Sequence, residues 1–90
     1  MTLNVDSTTI INDGSQQVTF RATGFPPNSA VVALLNGPDG TLNESAGTTD
    51  SKGTYSETLT YQGPYSGPAT LSATDNLGDV SNVLNVTITP

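Results

Sequence analysis

The sequence predicts an all-β fold, a single antiparallel sandwich of about seven strands spanning residues 1–90 with no disulfide. Three observations carry that prediction. Thr, Ser, Val, Asn and Gly dominate while Glu, Lys, Gln and Arg are scarce, so no window offers an amphipathic helix. Runs of about five to eight residues alternate apolar with polar and are parted by Gly, Pro, Asn and Asp at sandwich-like intervals. Ninety residues without cysteine suffice for one core, whereas two would each be too small to stand without staples.

The elements follow in order. "TLNVD" sets Leu3 and Val5 on one face and is followed by a kink at "STTIINDGS". In "QVTFRAT", Val18, Phe20 and Ala22 alternate with Thr19, Arg21 and Thr23 and should point inward. "GFPPNS" breaks the run, because Pro26 and Pro27 lack ladder donors, and reads as a crossover between sheets. "AVVALLN" is continuously apolar, the mark of a strand covered on both faces or of one whose outer face meets a partner. "NGPDG" is a turn with Pro38 preset for its second position, "TLNES" a short polar edge strand, and "TDSKG" a further turn holding Lys52 and Gly53.

"TYSETLTY" alternates Tyr55, Glu57, Leu59 and Tyr61 against Ser and Thr, which points the tyrosines and Leu59 inward with Glu57 at a sheet margin. The loop "QGPYSGP" follows. "ATLSATD" and "VSNVLNVTIT" close the chain, contributing Ala69, Leu71 and Ala73 from one strand and Leu84, Val86 and Ile88 from the other, with "NLG" as their hairpin link. The expected core is Val18, Phe20, Leu34, Leu59, Leu71, Leu84 and Val86.

The succession "VTFRATGFPPNSAVV", "TTDSKGTYSETLTY" and "GPATLSATDNLGDVSNVLNVTI" resembles the bacterial Ig-like and related IPT-like domains. A Gly-aromatic-x-Pro turn, an Asp-x-x-Gly turn and a closing Ala-x-Asp-x-x-Gly-x-x-Ser hairpin recur there in the same order, and the likeness covers Leu3 to Thr89. The cysteine pair and tryptophan of antibody domains are absent. The resemblance implies a cysteine-free Ig-like sandwich. It also implies a place among the repeats of bacterial surface and secreted proteins or the accessory domains of phage heads and tails, with no diagnostic catalytic residue.

Charge and composition narrow the chemistry. A net charge of -6, with two basic residues, repels phosphate backbones and anionic lipids, so neither nucleic acid nor membrane insertion is expected. Without His or Cys the common general base and thiolate nucleophile are missing, and a carboxylate pair such as Glu57 with Asp50 is the remaining formal catalytic option. No enzyme activity and no cofactor are expected. Asp75, Asn76 and Asp79 in "ATDNLGDVSN" offer oxygens for a weak cation site, but the spacing is not that of an EF-hand, and Asn76 and Gly78 are what a tight turn requires.

Phe25, Tyr61 and Tyr65 are the candidate binding residues, loop aromatics at one end of the sandwich, each of which could instead cap the core. "NES" at Asn43 and "NVT" at Asn85 match the glycan-acceptor pattern, as chance allows in so Asn-, Ser- and Thr-rich a chain. Strands begin directly after Met1 and end at Pro90, and no basic-apolar leader opens the chain. The expectation is therefore a small phage virion accessory protein, a head decoration or tail-attached module bound to coat or tail subunits. The alternative is an Ig-like repeat of a bacterial surface or secreted adhesin, for which a glycan is a possible ligand.

Overall fold

In a computed structural model, which describes residues 1–90, alternation turns into two packed sheets. The strands are β1 (Thr2–Val5), β2 (Thr9–Ile11), β3 (Val18–Thr23), β4 (Ala30–Gly37), β5 (Gly40–Thr48), β6 (Tyr55–Leu59), β7 (Gly67–Asp75) and β8 (Leu84–Thr89). One sheet has the order β1-β3-β6, the other β2-β8-β7-β4-β5. No helix forms.

Because side chains alternate across a strand, each run delivers one apolar set to the space between the sheets. Val18, Phe20 and Ala22 from β3 meet Ala69, Leu71 and Ala73 from β7 and Val86 and Ile88 from β8 in a single core. Tyr55, Leu59 and Tyr61 are buried as their alternation requires, and Phe20 meets the Tyr55 ring edge-on at 5.9 Å between centroids.

Four details depart from expectation. The "STTIINDGS" kink contains an eighth strand, β2, and it runs parallel to β8, pairing Ile10 with Ile88, so the sandwich is not wholly antiparallel. The switch has a local cause. Asp6 Oδ1 accepts the Thr19 amide at 3.0 Å at the end of β1, and Ser7 Oγ closes a turn on the Thr9 amide, which sends the chain across to the other sheet.

Leu34 is not in the core; Leu35 is. In an unbroken apolar run periodicity cannot choose the face, and the choice falls to the neighbours: Leu35 lies opposite Leu71, while Leu34 lies opposite Ser72 and Glu44. Leu84 packs at the core's margin rather than inside it. β5 is the sheet edge, as expected, but it is nine residues long.

The crossover "GFPPNS" passes from β3 to β4, and so from one sheet to the other. It is stapled to the "TDSKG" turn: Thr49 Oγ1 donates to the Pro26 carbonyl at 2.7 Å and accepts the Ser29 amide at 2.8 Å. Asp50 Oδ1 accepts the Lys52 and Thr54 amides, shaping the turn from within. At the other end of the chain, Asn82 pins β1 by accepting the Leu3 amide and donating to the Leu3 carbonyl.

Candidate functional site

Of the three candidate aromatics, two are occupied with the core. Phe25 is 4% exposed and Tyr61 6%, so both cap the sandwich and present almost no ring surface to a partner. Tyr65 is half-buried. Its hydroxyl donates to the Pro68 carbonyl, which fixes the ring.

The loop carrying Tyr65 is anchored by one side chain. Asn12, just beyond β2, donates through Nδ2 to the Gly63 and Tyr65 carbonyls at 2.6 and 2.8 Å and accepts the Gly63 amide through Oδ1 at 2.7 Å. An amide so placed replaces a strand for a segment that has none, since loop polar groups otherwise need water.

Tyr65 stands beside the outer face of the five-stranded sheet, where it borders a cleft of about 410 Å³ with Pro38, Pro68 and three strand residues, Asn36, Thr70 and Asn85. Those three form one cross-strand row. Asn36 on β4 faces Thr70 on β7, which faces Asn85 on β8. They point outward because Leu35, Leu71 and Val86, their strand neighbours, point inward. A second hollow of about 140 Å³ shares Tyr65 and Pro38 and adds Asp39 and Thr41.

The row keeps hydrogen-bonding capacity free. Asn36 Oδ1 accepts from Thr41 Oγ1 at 3.0 Å, leaving its amide nitrogen available, and the side chains of Thr70 and Asn85 bond to nothing in the protein. No charged residue lines the larger cleft. The arrangement can orient an uncharged polar ligand against an apolar wall. Glu57 accepts from the Tyr55 hydroxyl and Asp50 is engaged in its own turn, and neither lines a cleft.

The chain matches no family model and no curated protein.

Asp75, Asn76 and Asp79 form a turn. Asp75 Oδ1 accepts the Leu77 and Asp79 amides at 2.9 and 2.8 Å, and Asn76 is exposed. Nowhere do three or more His, Cys, Asp or Glu side chains converge as a metal site would require. Asp75 Oδ2 is buried without a partner, and the neighbouring Asp79 supplies one only when it carries a proton. Asp79 is accordingly raised above the usual carboxylate range, first by that hydrogen bond, then by burial and by the charge of Asp75. Burial pushes Asp75 up, but the Asp79 amide, the Asp79 carboxyl and the Leu77 amide outweigh it and hold Asp75 low.

A raised carboxylate binds its proton more tightly in the folded chain, so its contribution is fully present below the unfolded value and is lost as pH rises through the folded one. Asp79→Asn keeps the backbone bonds and offers Asp75 a permanent donor. It is expected to raise the melting temperature at pH 7, with the gain shrinking as pH falls toward about 4. A melting curve series from pH 3 to 8 that shows the same shift throughout, or none, would refute this linkage.

Proposed function

We propose that the protein is a non-enzymatic interaction module of the Ig-like kind, an accessory protein of a phage virion seated on coat or tail subunits. The observation that carries the binding role is the preformed, uncharged cleft at Tyr65, where a half-buried aromatic and free polar side chains meet. The Ig-like reading is supported by the strand order: β1 and β2 divide the first strand between two sheets, and β8-β7-β4-β5 follow as the last, penultimate, third and extra strands of an Ig variable-type sheet do. The virion assignment draws on the sequence resemblance.

The surface for seating is the outward side of β4. Half-buried Val32 and Leu34 project from the five-stranded sheet and lead along the strand to Asn36 at the cleft. Co-sedimentation with purified phage particles is the test: wild type should pellet with them, and Leu34→Asp should pellet at least about tenfold less while keeping its β spectrum. Wild type that stays in the supernatant with every particle tried would remove the virion assignment.

One observation favours a second reading. Free amides and a hydroxyl beside an aromatic ring suit sugar hydroxyls, as an Ig-like repeat of a bacterial surface or secreted adhesin would use them.

A further inference from the structure

We propose that the cleft bounded by Tyr65 and the Asn36–Thr70–Asn85 row is a binding site for a neutral saccharide. A sugar ring lies with its C–H face against Tyr65 and Pro38 and bonds its hydroxyls to the three strand residues. The inference rests on reading the chain as a binding module and is independent of where that module is attached.

Four features point to this ligand class. The row crosses three adjacent strands, which lie ~4.8 Å apart in a ladder, so neighbouring members stand at an interval that hydroxyls of one sugar ring can bridge. Apart from Asn36 Oδ1, which accepts from Thr41, their polar side-chain atoms have no partner in the protein, in contrast with Asn12 and Asn82, whose amides are taken up by backbone groups. Amides and a hydroxyl both donate and accept, as sugar hydroxyls do. The cleft lies in the size range of small-ligand sites, about 300 to 1,000 Å³.

Charge and backbone exclude the main competitors. Arg21 and Lys52 are the chain's two basic residues, and neither lines the cleft or the adjoining hollow. An acidic sugar or a phosphate would meet a protein of net charge -6 with no cation to receive it. A peptide adding as a strand needs free backbone donors and acceptors, and here β4, β7 and β8 are each paired with their neighbours beneath the cleft. Preorganisation favours a small ligand further: Asn12 holds the loop and the Pro68 carbonyl holds the Tyr65 hydroxyl, so little ordering remains to be done on binding.

The test is a printed array of neutral, sialylated and sulfated oligosaccharides probed with the whole chain, followed by an NMR titration with the strongest neutral binder. Neutral glycans should bind in preference to acidic ones, with amide shifts centred on Tyr65, Thr70 and Asn85. Tyr65→Ala should weaken binding by about tenfold or more. Because that change could loosen its loop, Asn85→Ala and Thr70→Val, both on the outer sheet face, are the sharper variants; each should weaken binding about fivefold with an otherwise unchanged amide spectrum. Absence of neutral-glycan binding, a preference for acidic glycans, binding indifferent to both strand variants, or a peptide shifting these residues where sugars do not would each overturn the proposal. None of these outcomes alters the particle co-sedimentation result, so the two readings fail separately.

Discussion

Replacing Phe20 by alanine is expected to cost about 3 to 5 kcal/mol and to lower the melting temperature by on the order of 20 °C. Phe20 is 1% exposed on β3, the central strand of the three-stranded sheet. Its backbone is held on both sides, opposite Val5 on β1 and Glu57 on β6, so the strand cannot sink to fill the space a truncated ring leaves. Across the interface stand Ala33, Leu35 and Leu71, themselves fixed in the β4–β7 ladder, and Tyr55 would lose the edge contact with the Phe20 ring. The cavity therefore stays open, which is the condition under which core truncations reach their larger costs. A domain of ninety residues with no disulfide has a total margin of the same order, about 5 to 15 kcal/mol at most. Urea denaturation of wild type and variant measures the difference directly. A loss below about 1 kcal/mol would mean that the two sheets close on the gap and that the core is less rigidly held than its ladders imply.

Where one face of a strand is polar and the other apolar, the sequence alone was enough to orient it. Val18, Phe20 and Ala22 alternate with polar residues, and their burial follows, as it does for Tyr55, Leu59 and Tyr61. The same logic failed at Leu34 because "AVVALLN" is apolar through Leu35 and its one polar residue, Asn36, stands at the very end of the run; the outward side that Asn36 and Leu34 share is set by Ser72 and Glu44 across the ladder, about thirty-eight and ten positions away in the chain. β2 was hidden for a different reason. Three residues are too few to show a period, and the strand exists because Ile10 finds a place in the core beside Ile88.

The candidate site was half legible. Tyr65 could be picked out as a loop aromatic, while Phe25 and Tyr61 looked equivalent to it until the end of the sandwich closed over them. Asn36 and Thr70 carried no motif, and Asn85 only the "NVT" acceptor match, which says nothing of a cleft. Each is an ordinary outward strand residue, and they become a row only through the register of β4 on β7 and of β7 on β8, which no local pattern states. The signal that could have found them is negative: three polar residues on outward positions of central strands, with a proline-rich turn and an aromatic loop at the same end.

Gly53→Ala is expected to destabilise the protein by about 3 kcal/mol or more, a loss comparable to that of Phe20→Ala although it adds only one methyl, at a buried position of the "TDSKG" turn. Gly53 has a φ of +78°, in the left-handed region, where an L side chain alone costs roughly 1 to 2 kcal/mol. The larger part comes from packing. A Cβ at position 53 would lie 1.9 Å from the Phe25 carbonyl oxygen, which is backbone and cannot swing aside as a flexible side chain would. Nor can Gly53 retreat: its amide donates to the Asp50 carbonyl at 3.1 Å and its carbonyl accepts the Phe25 amide at 3.3 Å. Relief would have to move the crossover that carries Phe25, pulling that ring out of the core and straining the bond from Thr49 to the Pro26 carbonyl. Gly78 provides the control. It also has a positive φ, +91°, but a Cβ there would meet nothing within 4 Å, so Gly78→Ala should cost only the backbone strain. Denaturation curves of the two variants side by side separate strain from collision: a clear excess for Gly53→Ala locates the lock between turn and crossover, and equal losses would mean that the "TDSKG" turn slides away from Phe25 without disturbing the core.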